Sequence, residues 1–183
     1  MSADFASLVS LACHDLRTPL ATVQGFAQTM LRLDQLDAEK TERYLGLIES
    51  ASTELAQLLE LLSLAARIED GRYEPVVREV DSLALAPEGA TGTGARVLVD
   101  PEPVERALTS LVRAAGRHGG VEVSVSVDGP RIVVEPVVGG AAPVVLGEEQ
   151  KDLGAAVAVM VVRALGGDVG LEDERLTVTL PTT

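Results

Sequence analysis

The 183-residue chain is poor in cysteine, aromatic residues and basic residues, and each shortage excludes a class of protein. Its single cysteine, Cys13, excludes an internal disulfide and any cysteine-based metal cluster. Tryptophan is absent and aromatic residues make up 2%, so we expect cores built from Leu, Val and Ala. Lys and Arg number 15 against 28 Asp and Glu. The resulting net charge of −13 argues against nucleic acids and anionic membranes as partners.

Long apolar runs and a secretory leader are also missing. The longest apolar run, Ala155–Val162, is well short of the roughly 18–20 residues that a membrane-spanning helix needs. No N-terminal segment joins basic residues to an apolar stretch, so we expect a cytoplasmic protein. The hydrophobic content of 46% is nevertheless that of a folded globular protein. The length allows one large domain or two small ones.

The first seventy or so residues have the periodicity of two long helices. Apolar side chains recur at three- and four-residue steps from Phe5 to Leu31 and again from Tyr44 to Ala65. A polar turn around Asp34–Glu39 separates the two runs, and Gly71 suits the end of the second helix. Such a hairpin has an apolar stripe that it cannot cover by itself. We therefore predict that two copies form a four-helix bundle in a homodimer.

Beyond Tyr73 the pattern changes to short alternating strands and two helices. Asp100 is placed to cap the first of these helices. Alternation of apolar and polar residues indicates a sheet with one covered face, and hence an α/β two-layer sandwich. The predicted fold class is α+β, with a helical domain at 1–72 and a sheet domain at 73–183. The predicted strands are Val76–Leu83, Arg96–Val99, Val121–Val127, Arg131–Glu135, Asp168–Glu172 and Leu176–Leu180, and the predicted helices are Pro101–Arg117 and Lys151–Leu165.

The glycine-rich stretch Gly89–Gly94 invites comparison with a phosphate-binding loop. It lacks the Lys-Ser/Thr pair of such loops and leads into a strand instead of a helix. We therefore interpret it as a flexible loop.

The most informative motif is the run HDLRTPL at positions 14–20. His14 and Thr18 are four residues apart and share one helical face. Pro19 cannot donate to the carbonyl of Asp15 and should bend the helix, and an interior proline costs a helix about 3 kcal/mol. A helix that keeps an interior proline close to a histidine is expected to be bent so that the imidazole of His14 is exposed. The run resembles the H-box of two-component histidine kinases.

This resemblance implies a role for three side chains. His14 would accept a phosphoryl group on a ring nitrogen, because neutral imidazole is a nucleophile near neutral pH. In the family, the acid at Asp15 is thought to hydrogen-bond the other ring nitrogen and fix the tautomer. Thr18 matches a position that in some members orients water for dephosphorylating a partner.

Neighbouring positions are candidates for partner docking. Arg17 either pairs with an acid of the bundle or touches the partner. Ala21 and Gly25 follow His14 on the same helical face and are small enough for a partner's helix to approach closely. Cys13 is expected to be a small, buried or half-buried apolar side chain.

The second half resembles the family's ATP-binding domain in its order of elements, but not in its nucleotide chemistry. Ser110 and Ala114 stand where the family has two asparagines, and a methyl group cannot ligate Mg²⁺. Pro136 occupies the position at which the family has an aspartate that binds the adenine amino group. Asp152 replaces the first glycine of the pair that approaches the phosphates, and Gly154 remains. The resemblance therefore implies a nucleotide site that has lost ATP.

Two further residues lie near these positions. Glu135 is one position from the expected aspartate, and on a strand that shift turns its side chain to the other face. His118 follows the asparagine segment and is expected to be structural.

Together these features predict a histidine phosphotransferase that relays phosphate between response-regulator receiver domains through His14. Receivers bring their own Mg²⁺ and catalytic carboxylates, so the chain would need no cofactor and no metal site of its own. Two alternatives stay open. One is a divergent ATP-dependent sensor histidine kinase. The other is a non-catalytic dimer that binds a regulator or dephosphorylates it through Thr18.

Overall fold

A computed structural model describes residues 3–32 and 37–182 of the chain. A helical hairpin comes first and a sheet domain follows, which confirms the predicted α+β class. In chain order the elements are α1 (Ala3–Arg32), α2 (Ala38–Glu69), β1 (Arg78–Asp81), α3 (Ser82–Leu85), β2 (Thr91–Gly94), β3 (Arg96–Val99), α4 (Pro101–Gly119), β4 (Ser124–Gly129), β5 (Arg131–Glu135), α5 (Ala141–Val145), α6 (Leu153–Ala164), β6 (Asp168–Glu172) and β7 (Arg175–Thr179).

Helices α1 and α2 form the hairpin. The rings of Phe26 and Tyr44 lie 5.2 Å apart between the two helices. Helix α1 continues through Pro19, whose side chain is buried. The Asp37 carboxylate caps α2 by accepting a hydrogen bond from the Lys40 N–H at 2.7 Å. Residues 33–36 of the predicted turn lie outside the described residues.

Several large apolar side chains of the hairpin remain exposed in the single chain. This pattern fits the homodimeric four-helix bundle predicted from the sequence, and the dimer stays a prediction. The exposed side chains are Leu20, Leu31, Leu45, Leu47 and Leu59.

A five-stranded sheet forms the second domain. Its strand order is β2-β4-β5-β7-β6, in which β2 and β4 are parallel and the other pairs are antiparallel. Helices α4 and α6 cover one face, as predicted for a two-layer sandwich. Strands β1 and β3 pair separately as a small antiparallel sheet. The buried sheet residues are Val127, Ile132, Val134, Val169, Leu176 and Val178.

The prediction of a flexible loop at Gly89–Gly94 is wrong, because Thr91–Gly94 is strand β2. Gly92 has a φ of +120°, and a Cβ at this position would lie 2.0 Å from the carbonyl oxygen of Val127. A Cβ at Gly94 would lie 1.9 Å from Oδ1 of Asp81. Glycine is therefore required here by close approach of β2 to its neighbours, not by loop flexibility.

The strand predicted over Val76–Leu83 is shorter in the structure. Pairing stops at Asp81, whose carboxylate accepts a hydrogen bond from the Leu83 N–H at 2.9 Å and starts α3. The buried Ser82 hydroxyl donates to the Gly129 carbonyl at 2.6 Å and accepts from the Ala95 N–H at 3.0 Å. These contacts to distant segments end the strand. Helix α5 was not predicted, and the strand predicted from Val121 begins at Ser124.

Asp100 lies at the N-cap position of α4, but its side chain does not cap the helix. Its carboxylate accepts hydrogen bonds from the Val76 N–H at 3.0 Å and from the Tyr73 hydroxyl at 3.5 Å. Asp100 thus ties the segment after α2 to the sheet domain. Burial, together with the nearby Asp100 charge and hydrogen bond, raises the pKa of Tyr73 to about 12.

We expect Gly92→Ala to lower the free energy of unfolding by about 2 kcal/mol or more, because the added Cβ meets a strand carbonyl at a strained φ. Denaturant titration measures this change. Gly170→Ala in β6 is the matched control, since a Cβ there would meet no atom within 4 Å. Its effect should stay within about 0.5 kcal/mol. Equal effects of the two variants would contradict the close approach of β2 to β4.

We expect Tyr73 to ionise near pH 12 in a Tyr44→Phe variant, where it is the only tyrosine. The folded-state pKa lies above the unfolded value of about 10, so the unfolded chain loses its proton first. The stabilisation is therefore complete below about pH 10 and is lost as the pH rises towards about 12. The ultraviolet absorbance of tyrosinate reports the titration. Asp100→Asn should lower the Tyr73 pKa, and no change would exclude a contribution from Asp100.

Candidate functional site

His14 projects from α1 into solvent. Its side chain is 76% exposed, and Nδ1 lies 3.2 Å from Oδ1 of the half-buried Asp15 carboxylate. When Nδ1–H donates to Asp15, Nε2 carries the lone pair. In that tautomer the exposed side chain offers Nε2 as its nucleophilic nitrogen.

The face of α1 that carries His14 is open. Thr18, Ala21 and Gly25 are all exposed along it, and a Cβ at Gly25 would meet no atom within 4 Å. Arg17 is also exposed, and within the described residues it forms no ion pair. Both predicted roles of Arg17, pairing within the bundle and contact with a partner, stay predictions.

Cys13 is exposed, so the expectation that it is buried or half-buried is wrong. The reason is its place on the helix. Ala12 occupies the buried position of this turn, and Cys13 lies next to His14 on the outer side.

A second cluster of polar side chains surrounds the start of α6. Oδ1 of Asp152 caps the helix by accepting from the Ala155 N–H at 3.0 Å. Its Oδ2 lies 3.4 Å from Nη1 of Arg117 and 3.5 Å from Nε2 of His118. An internal carboxylate thus lies where the free N–H groups and dipole of a helix start favour negative charge.

The helices beside this carboxylate are in close contact. A Cβ at Gly154 would lie only 3.1 Å from Oγ of Ser110. Ala114, one turn further along α4, is fully buried. The structure therefore brings Ser110, Gly154 and Asp152 together beside buried Ala114. At Ala114 a methyl group stands where the family resemblance expects an oxygen ligand.

Pro136 and Glu135 lie at the end of β5. Pro136 is exposed. Glu135 forms an ion pair with Arg175 of β7, on the face opposite the buried Val134. The Glu135 carboxylate is therefore engaged by Arg175.

Arg117 is a residue of this cluster that the sequence did not predict. A signal was present, because Arg117 and His118 are basic residues in the last turn of α4. Their partner Asp152 lies 35 residues later, however, and only the tertiary fold brings the three together.

Taken together, the side chains of this cluster do not fit Mg²⁺-ATP. Across residues 3–32 and 37–182, no group of three or more His, Cys, Asp and Glu side chains is placed to hold a metal ion. In the same part of the chain, no helix has the length and apolar character needed to cross a bilayer.

Known proteins resemble the chain in both sequence and fold. Residues 6–71 match the His Kinase A (phospho-acceptor) domain family. The chain is 27% identical to the methanogenesis regulatory histidine kinase FilI of Methanothrix harundinacea (strain 6Ac), over 99% of this chain and 25% of that protein. It is 41% identical to the sensor histidine kinase TrcS of Mycobacterium tuberculosis, over 33% of this chain and 12% of that protein. The chain thus spans a quarter or less of the length of these two relatives.

The fold comparison agrees with the sequence comparison. The histidine kinase AdeS of Acinetobacter baumannii superimposes with a TM-score of 0.65, covering 93% of this chain and 98% of that chain at 21% identity. The H-box run lies within the matched phospho-acceptor region, and its histidine is exposed. Residues 6–71 therefore form a His Kinase A (phospho-acceptor) domain, and the chain as a whole has the fold of a histidine kinase.

Proposed function

We propose that this chain is a histidine phosphotransferase, which relays a phosphoryl group between receiver aspartates through His14 without using ATP. The observation that carries this proposal is the position of Asp152. Its carboxylate caps α6 at the place where the family's glycine pair approaches the nucleotide phosphates.

Electrostatics supports the loss of ATP. The phosphates of ATP are anionic, and the Asp152 carboxylate would repel them at short range. The two nearby basic side chains, Arg117 and His118, already face that carboxylate at 3.4 and 3.5 Å. Ala114 offers no oxygen for Mg²⁺. Each of these features removes a different contact that a nucleotide would need.

The exposed imidazole supports the transfer itself. Nε2 of His14 attacks the phosphorus of a receiver's aspartyl phosphate, a P–N bond forms, and the P–O bond to the aspartate breaks. The aspartate leaves as a carboxylate, and Nδ1–H remains hydrogen-bonded to Asp15, which stabilises the positive charge on the ring. The reverse sequence delivers the phosphoryl group to a second receiver. The receiver supplies the Mg²⁺ that this chemistry needs.

We also propose that the open face of α1 docks the receiver. Arg17 is the cation beside His14, and the small Ala21 and Gly25 leave space for a partner's helix. In this proposal the chain works as a homodimer, because a second copy would cover the exposed apolar side chains of the hairpin.

An ATP-dependent sensor histidine kinase is the second candidate. The names of the relatives favour it, since FilI and TrcS are both described as histidine kinases. A third candidate, a regulator-binding or phosphatase module, has in its favour that Thr18 is exposed one turn from His14. The next two experiments separate these candidates.

We expect the purified chain to take labelled phosphate from a phosphorylated receiver, and His14→Gln to abolish this labelling. Asp15→Asn should slow the transfer by about tenfold or more, because it weakens the hydrogen bond that fixes the tautomer. Thr18→Ala is the matched control on the same face and should keep the labelling. Labelling that survives in His14→Gln would overturn the proposal, and so would wild-type chain that accepts no label from any receiver of its genome. Receiver dephosphorylation that needs Thr18 but not His14 would favour the phosphatase module.

We expect no binding of ATP with Mg²⁺ by isothermal titration calorimetry at millimolar nucleotide, and no labelling of His14 from γ-labelled ATP. The repulsion from Asp152 and the missing ligand at Ala114 are the physical reasons. Saturable binding with labelling that His14→Ala abolishes would replace the proposal with the kinase. Asp152→Gly should not restore nucleotide binding by itself, since Ala114 still provides no ligand.

A further inference from the structure

Helix α6 is buried on nearly all sides. Five consecutive residues, Ala155–Val159, are each at most 7% exposed, and Val161 and Val162 follow with at most 1%. A helix lying on one face of a sheet buries a single stripe and keeps the opposite side polar. The sequence of α6 therefore indicates that a second layer covers its outer side.

The inner side of α6 packs within the sheet domain. Packing here is tight: a Cβ added at Gly154 would lie 3.1 Å from Oγ of Ser110 on α4, and a Cβ added at Gly167, just before β6, would lie 2.9 Å from Cγ1 of Val162. These contacts account for only part of the buried surface of the helix.

The hairpin covers the outer side. Met160 and Val159 of α6 line one recess together with Phe5 and Leu8 of α1. Leu8 is 2% exposed, and Ala12 and Ala65 are completely buried in the same apolar cluster as α6. The hairpin and the sheet domain therefore share one hydrophobic core.

Polar contacts connect the same two parts of the chain. Nη1 of Arg106 on α4 lies 3.0 Å from Oε2 of Glu60 on α2. Asp100 holds Tyr73 and Val76 of the connecting segment. Both contacts restrict rotation of the sheet domain about the segment that joins it to α2.

We infer that the sheet domain is permanently docked on the base of the hairpin, as a fixed brace with α6 as the shared core helix. Undocking would expose Leu8, Ala12, Ala65 and the outer side of α6 to water, which the hydrophobic effect opposes. In the docked arrangement His14 remains exposed. A partner can thus reach His14 while the sheet domain stays in place. This inference concerns the arrangement of the domains and does not depend on the proposed function.

Pulsed electron paramagnetic resonance tests the docking in the full chain. Spin labels are placed on Arg43→Cys in α2 and Glu172→Cys in β6, two exposed positions, in a Cys13→Ser background. A tenfold excess of unlabelled chain ensures that measured pairs lie within one chain. We expect one narrow distance that does not change when ATP with Mg²⁺ is added. A broad or two-peaked distribution would overturn the inference.

Ala65→Arg places a charge in the shared core and should broaden the distance distribution, while circular dichroism shows that the helices persist. Ser63→Arg is the matched control, since Ser63 is exposed on the same helix, and should leave the distance narrow. An unchanged narrow distance in Ala65→Arg would count against the shared core. If Ala65→Arg does not fold, the distance distribution of the labelled chain with Ala65 intact decides whether the sheet domain is docked. Failure of this test leaves the labelling of His14 by a receiver unaffected, so the two ideas are judged separately.

Discussion

The burial of α6 between the sheet domain and the hairpin is the constraint on which the rest of the structure depends. With Ala155–Val159 covered on both sides, the helix belongs to two domains at once. The hairpin base supplies Leu8, Ala12 and Ala65 to that core. Because so few aromatic residues are available, this burial is achieved by many small aliphatic side chains packed closely.

The start of the same helix is occupied by a negative charge that belongs to the chain itself. A helix start is a ready anion site, and a nucleotide phosphate or an internal carboxylate can fill it equally well. Here Asp152 fills it, held by the Ala155 N–H and facing Arg117 and His118. An internal carboxylate at this position stabilises the helix start without a ligand. A shared fold therefore says little about which phosphate source the chain uses.

The elements that could be predicted were those whose structure depends on residues close together in the sequence. The two long helices follow from apolar periodicity, and β3, β5 and β6 have their predicted bounds. Strand β2 was missed because its glycines are required by neighbours distant in sequence. Gly92 packs against Val127, more than thirty residues away, and Gly94 packs against Asp81. His14 and Asp15 were found from adjacent residues in one motif. The contact of Asp152 with Arg117 could not be predicted in this way, because it joins two helices that only the fold brings together.

The exposure of His14 bears on the lifetime of the phosphoryl group that it would carry in the proposed relay. A phosphoryl group on Nε2 would stand in water, on a side chain that is already 76% exposed before modification. Its persistence would depend on the intrinsic hydrolysis rate of the P–N bond, since the surrounding helix offers little shelter. In the proposed relay, the next receiver must therefore take the phosphoryl group before water reacts with it, so throughput would depend on partner concentration.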